Sequence, residues 1–215
     1  MSDAPPEAVT DAASFQRATG ATPAQMAALA AYRDLLADWN ERMNLIGPAT
    51  LPDFWSRHAW DSAQLLRLAP DAQRWADLGT GAGLPGVVLA ILCKESPGFH
   101  VDLVESMAKR CRFLEEVVHS LGLPATIRHG RAEDLKLKVE VVTARACAPL
   151  FKLLGYAWPY LRIGATGLFL KGQDVASELE EATRYWDFEA EIVPSLSDPR
   201  GQIVRIRRLT RVRPV

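Results

Sequence analysis

The chain is poor in the features that announce many function classes. It has three cysteines in 215 residues, Cys93, Cys111 and Cys147. They are odd in number and far apart, so neither a disulfide framework nor a thiolate metal site is in view. That usage suits a reducing compartment. The N-terminus is acidic and has no apolar core, so it does not read as a signal peptide. No run approaches the roughly 18 apolar residues that a membrane-crossing helix requires. Charge of one sign is lacking too, with a formal net charge of -1. A balanced total neither implies nor excludes a nucleic-acid partner, and the distribution of charge decides. Internal repeats are absent. These absences point to a cytoplasmic globular protein with no membrane attachment.

What is present is a sizeable core. Hydrophobic residues make up 48% and charged residues 24%, ordinary for one globular domain. Residues 1–21, rich in Ala, Pro, Asp and Ser, predict a flexible tail. Thr22-Pro23-Ala24-Gln25 then reads as a capping box with Pro at the first helical position. Met26, Leu29, Leu36 and Trp39 follow at helical spacing. A second helical stretch runs from Asp53 to Leu68. Residues 22–70 are therefore expected to form a helical extension, with an α/β domain over 71–215.

From Trp75 the pattern alternates strand and helix. The strands read at 75–78, 101–105, 125–128, 139–143 and 167–171, with helices at 85–93, 108–121, 148–161 and 175–185. Such alternation predicts a parallel sheet covered on both faces. Phe188 to Val193 and Gln202 to Leu209 are joined by a short loop that leaves no room for a helix, so they should pair antiparallel. The expectation is an α/β, Rossmann-like, mostly parallel seven-stranded sheet that ends in an antiparallel hairpin. That layout is the class I methyltransferase fold.

The most informative segment is Asp77-Leu78-Gly79-Thr80-Gly81-Ala82-Gly83-Leu84-Pro85-Gly86, between the first strand and its helix. Glycines there let the backbone turn sharply and approach a ligand. A dinucleotide loop needs G-x-G-x-x-G, but Leu84 occupies the third glycine's place. The spacing is G-x-G-x-G, with Asp77 two residues ahead. S-adenosylmethionine carries a sulfonium and an α-amino group rather than a pyrophosphate, and a carboxylate such as Asp77 favours both. Glu105, at the end of the second strand, is placed to accept ribose hydroxyls. Arg131-Ala132-Glu133-Asp134 follows the third strand, where a backbone group and a carboxylate suit an adenine edge.

The loops after the fourth and fifth strands should line the acceptor side. The Asp/Asn/Ser-Pro-Pro-aromatic motif of amino-methylating enzymes is missing, and so is the Pro-Cys pair of pyrimidine C5 enzymes. Cys147 reads as a packed small residue. Arg145 and Lys171 are candidates to orient an acceptor, or else ordinary solvated cations. Arg200, Arg205, Arg207, Arg208, Arg211 and Arg213 form a basic stretch without an acid. It reads equally as a phosphate footprint or as a strand's solvent face. Arg57, His58 and Asp61 share one side of a helix. For His58 and Asp61 an internal network joining the extension to the sheet is the favoured reading.

Several segments together resemble a known family. They are Trp39-Asn40 with Asn44-Leu45-Ile46, Arg57-His58 with Asp61-Ser62, Asp77 to Gly86, Arg131-Ala132-Glu133, Arg145-Ala146 and Leu170-Lys171-Gly172. The chain is similar to the bacterial 16S ribosomal RNA guanine-N7 methyltransferases of the small subunit, also known as glucose-inhibited division protein B. The match spans about 22 to 208, and Ala144 stands where the family more usually has Ser. The resemblance implies S-adenosylmethionine as donor and a guanine in the decoding-region loop of 16S rRNA as acceptor. It implies cofactor contacts at Gly79, Leu84, Ala132, Glu133 and Arg145, beside Asp77, Gly81 and Gly83 from the loop and Glu105 from the end of the second strand. It further implies a substrate in the small ribosomal subunit or its assembly intermediate, and the chain is expected to act as a monomer. Guanine N7 has a free lone pair and no proton to lose, so no general base and no metal are expected. A small-molecule methyltransferase and a non-catalytic rRNA-binding factor on the same fold are the alternatives.

Overall fold

A computed structural model describes residues 8–212. The expected tail is overturned over its second half. α1 (Ala12–Thr19) is capped by Asp11 and Ser14 and closed by a left-handed Gly20. Phe15 is fully buried, its ring 5.5 Å from that of Trp55. A capping box and one apolar anchor thus outweigh a disorder-like composition. Residues 1–7, and Arg213 at the other end, lie outside the described residues.

α2 (Pro23–Asn40) starts on the Thr22–Gln25 capping box. The stretch after it is helical but changes winding twice. Phe54–Trp60 is a π-helix, α3 is Asp61–Ala63, and Gln64–Leu68 is a 3-10 helix. Next come β1 (Arg74–Leu78), α4 (Gly86–Leu92), β2 (His100–Glu105), α5 (Ala108–Leu121) and β3 (Ala125–His129). β4 (Val141–Arg145), α6 (Leu150–Leu161), β5 (Thr166–Lys171), α7 (Val175–Thr183), β6 (Trp186–Pro194) and β7 (Gln202–Arg211) complete the chain.

The seven strands lie in the order β3-β2-β1-β4-β5-β7-β6. β1 to β5 pair in parallel, and β7 joins antiparallel to both β5 and β6. β4 sits two residues later than its sequence pattern predicts. Its register, Trp75 opposite Val141 and Arg145 opposite Leu170, draws Arg145 into the strand rather than the loop after it.

Alternate strand residues feed two cores, as a pleated strand requires. Trp75, Val101, Leu103, Leu168 and Ile203 pack with α4, α5 and the N-terminal helices. Ala76, Leu78, Val142, Phe169 and Val204 pack with α6 and α7. The extension thus shares its core with one face of the sheet. Polar contacts tie it down as well. Tyr32 donates its hydroxyl to Ala82 O at 2.6 Å, Gln25 its amide to Leu92 O at 2.6 Å, and Trp39 its indole N–H to Glu116 at 3.0 Å. Among the described residues, no helix is long and apolar enough to cross a membrane.

Candidate functional site

The strand order reverses between β1 and β4. Open α/β sheets bind ligands outside the carboxyl ends of the strands at such a point. A cleft of about 950 Å³ lies there. Its walls come from the glycine loop, the ends of β4 and β5, the 45–61 segment and the β6–β7 loop.

The glycine loop is held from beneath by Asp77, which is fully buried. Asp77 Oδ2 accepts the Thr80 hydroxyl and the Gly86 N–H, the latter at 2.9 Å. Its Oδ1 accepts the Thr143 hydroxyl at 3.1 Å. Burial pushes the carboxyl up to about 6, against the pull of those hydrogen bonds. Asp77, expected to favour the ligand's positive groups, braces the loop from beneath and does not itself line the cleft.

The glycines divide their work. Gly79, Gly81 and Gly83 all have positive φ, which strains any side chain. A Cβ on Gly83 would come 2.4 Å from Val87 Cγ2, so this residue faces the core and not the ligand. A Cβ on Gly79 would come 2.6 Å from Cys147 Sγ. Gly81 is the open one, with nothing closer than 3.8 Å. The spacing of the loop does not single out Gly86. A Cβ there would meet Leu103 at 2.3 Å, so Gly86 supplies the close helix–strand packing that Leu84 cannot.

Glu105 accepts the Gly81 N–H at 3.0 Å and the Met107 N–H at 2.8 Å. It is only 3% exposed, with Arg110 Nη1 3.7 Å away across its outer side. Gly79, Gly81, Leu84, Arg145 and Lys171 line the cleft. Glu105, Ala132 and Glu133 do not. Arg110 closes over the first, the Ala132 carbonyl accepts the Tyr160 hydroxyl at 2.6 Å, and Glu133 turns toward Arg131, 3.9 Å away.

The β4 and β5 side carries the cations. Arg145 Nη1 donates to Arg57 O at 3.0 Å and to Asp61 Oδ2 at 3.3 Å. Its Nη2 contacts His58 Nδ1 at 3.0 Å. Burial, then Arg145 and Arg57, hold the imidazole at about 3, so it is neutral. With Nδ1 accepting, His58 Nε2 carries the proton and donates to Thr50 Oγ1 at 3.0 Å. His58 and Asp61 thus form the network between extension and sheet that their spacing suggests. Lys171 Nζ lies 2.6 Å from Glu178 and donates to Ala148 O at 3.1 Å. Neither cation is an ordinary solvated one.

Cys147 lies between the two sides. Burial, then Asp77 and Glu105, raise its thiol above the usual range, so it is no thiolate nucleophile. The carboxylates of Asp77 and Glu105 lie behind the glycine loop and set a negative floor beneath the cleft wall. That floor, with bare backbone at Gly81, fits a ligand carrying a sulfonium and an ammonium group. Groups of His, Cys, Asp and Glu able to hold a metal are absent among the described residues.

The basic stretch at the C-terminus is paired across the hairpin. Arg205 and Arg207 face Glu191 at 3.6 and 3.4 Å, and Arg208 faces Glu189 at 3.0 Å. Arg211 lies over Trp186, 5.5 Å from the ring centre. The stretch lacks acids in sequence, and β6 brings them in space.

Comparison with known proteins agrees with this geometry. The family model described as rRNA small subunit methyltransferase G matches residues 25–204. A ribosomal RNA small subunit methyltransferase G of Caulobacter vibrioides is 65% identical over 97% of this chain and 96% of its own length. One of Methylorubrum extorquens is 48% identical over 87% of this chain and 90% of its own. A SAM dependent methyltransferase from Aquifex aeolicus shares the fold, with a TM-score of 0.55 at 15% identity, over 81% of this chain and 97% of that one. The chain belongs to the rRNA small subunit methyltransferase G family.

Proposed function

We propose that this protein transfers a methyl group from S-adenosylmethionine to N7 of a guanine in the decoding-region loop of 16S rRNA. Methyl transfer to small-subunit rRNA and the donor follow from the family. The atom and the loop are the proposal's own. The carrying observation is that every carboxylate and imidazole lining the acceptor half is already engaged. Asp61 is bound to Arg145, Glu178 to Lys171 and Asp198 to Arg200. Both His58 nitrogens are occupied. A site without a spare base suits an acceptor with a lone pair and no proton to remove.

Gly79, Gly81, Leu84 and Arg145 would hold the cofactor, with Glu105, Ala132 and Glu133 proposed on its ribose and adenine side. When bound, it supplies an electrophilic methyl on a positively charged sulfur. The protein's part is then positioning, which can supply roughly 7–11 kcal/mol of barrier reduction. Arg145 and Lys171 are assigned to orienting the guanine. Arginine commonly bridges guanine O6 and N7, but an N7 that accepts a hydrogen bond cannot attack. Any contact from Arg145 or Lys171 must therefore go to O6, the sugar or phosphate. The substrate is read as the small ribosomal subunit or its assembly intermediate, and the protein as a cytoplasmic monomer.

The test is transfer of labelled methyl to small subunits from cells lacking the gene, followed by mapping of the modified base. A single N7-methylguanine in the decoding-region loop is expected. Modification elsewhere refutes the proposed acceptor. Cofactor binding without transfer to subunits or rRNA points to a small-molecule acceptor or a non-catalytic rRNA-binding role.

A further inference from the structure

Asp61 joins three segments of the cleft wall. Its Oδ2 receives Arg145 from β4. Its Oδ1 accepts the Ser197 hydroxyl from the β6–β7 loop at 2.6 Å and the Gln64 amide at 3.0 Å. The same loop is docked on the helical stretch by further hydrogen bonds. Trp60 Nε1 donates to Leu196 O at 3.0 Å, and Leu196 N–H donates to Gln64 Oε1 at 2.7 Å.

Arg145 is received by a tripod built on the π-helix and the turn after it. A guanidinium has five N–H donors in a fixed plane. Nη1 directs its hydrogens to Arg57 O and Asp61, and Nη2 directs one to His58. The Nε–H and the second Nη2–H have no protein partner among the described residues, and Arg145 lines the cleft. Fixing three donors of a planar group fixes the direction of the other two. His58 can take part only as a neutral ring, since an imidazolium has no lone pair to accept from Arg145.

We propose that His58 and Asp61 are positioning residues for Arg145. They set its plane so that the two remaining donors face the bound ligand, and Asp61 couples that plane to the β6–β7 loop. The proposal rests on the reading of this cleft as a methyl-transfer site. Neither residue need touch cofactor or guanine.

The test measures S-adenosylhomocysteine affinity by calorimetry, and kcat and KM on small subunits, in six variants. Asp61→Asn and His58→Phe should each weaken S-adenosylhomocysteine binding roughly tenfold, from loss of one hydrogen bond to a charged group. His58→Asn, whose amide oxygen stands near the Nδ1 position, should recover most of the loss. The double variant Asp61→Asn with Arg145→Ala should be no worse than Arg145→Ala alone, since residues acting through one another are not additive. Additive losses, or an Asp61→Asn protein that binds like wild type, overturn the proposal. Should the Asp61 variant fail to fold, Ser197→Ala removes one neutral hydrogen bond from Asp61 and should weaken binding roughly threefold. Binding at full strength in that variant counts against the coupling to the loop. If wild type binds the product and the variants rank as stated, yet no rRNA is methylated, the positioning role stands and the proposed acceptor falls. If rRNA is methylated at N7 and the variants are indifferent, the reverse holds.

Discussion

The two halves of the cleft are built from different materials. On the β1–β2 side, Asp77 and Glu105 direct their oxygens to main-chain N–H groups and short hydroxyls. On the β4–β5 side, Arg145 and Lys171 set their charge against the carboxylates of Asp61 and Glu178. The first kind of contact is fixed with the fold and cannot be exchanged without unmaking a turn. Of the second kind, the Lys171 pair can be traded for a phosphate or a base as the side chain rotates, while Arg145 is held in its plane. A small cofactor of constant shape suits the first half, and a large flexible acceptor suits the second.

The comparison breaks most readily on the backbone side. Gly83→Ala adds a Cβ at a φ of +89° and 2.4 Å from Val87. The expected loss is about 3 kcal/mol of stability, read by urea denaturation, with S-adenosylhomocysteine binding falling alongside. A Gly83→Ala protein as stable as wild type would show the loop to be softer than its contacts imply.

Acid comes next. His58 is held at about 3 in the fold against an ordinary 6.5. The unfolded chain therefore takes up a proton as pH falls below 6.5 and the native state does not, so stability is full above 6.5 and is lost on the way toward 3. Between pH 6.5 and 5 the loss is roughly 1–2 kcal/mol. Asp77 runs the other way, since its carboxyl is raised from 3.8 to about 6 and the fold binds that proton first. His58→Asn should thus give a shallower fall in thermal midpoint with acid than wild type. An unchanged slope would mean that His58 is not held neutral.

On the exchangeable side, Lys171→Gln should leave the thermal midpoint near wild type, lower methylation of small subunits about tenfold, or about 1.4 kcal/mol, and spare S-adenosylhomocysteine binding. A parallel loss of binding would move Lys171 to the cofactor half. Smallest of all, Arg207→Gln with Arg208→Gln should change stability by less than about 0.5 kcal/mol, since exposed ion pairs contribute little. Their effect on the salt dependence of subunit binding should be slight too. A steep loss there would make the hairpin an RNA contact in spite of its acids.

The alternation of strands and helices is legible because buried parallel strands are short apolar runs and amphipathic helices repeat at 3.6. The terminal hairpin follows from a loop too short for a crossover. The glycine loop announces itself by spacing, but the division of labour within it does not. That Gly83 faces Val87 while Gly81 faces open space depends on where α4 packs, and no local pattern encodes it. Glu105 shows the same limit, because its cover by Arg110 joins neighbours that the sequence does not mark as partners. α1 escapes a reading by composition, although Asp11 and Ser14 carry its cap. The acids of β6 opposite the C-terminal arginines are within reach once the predicted hairpin is used to pair the two runs.

One contact reaches further than its length suggests. The hydroxyl of Tyr32, a fully buried residue of α2, donates to the carbonyl of Ala82 inside the glycine loop. The change of pattern near residue 70 looks like a seam between modules, yet the most specialised turn of the second module is clasped from within the first. Grafting these helices onto another core, or this core onto other helices, takes the donor away from a carbonyl of the glycine loop.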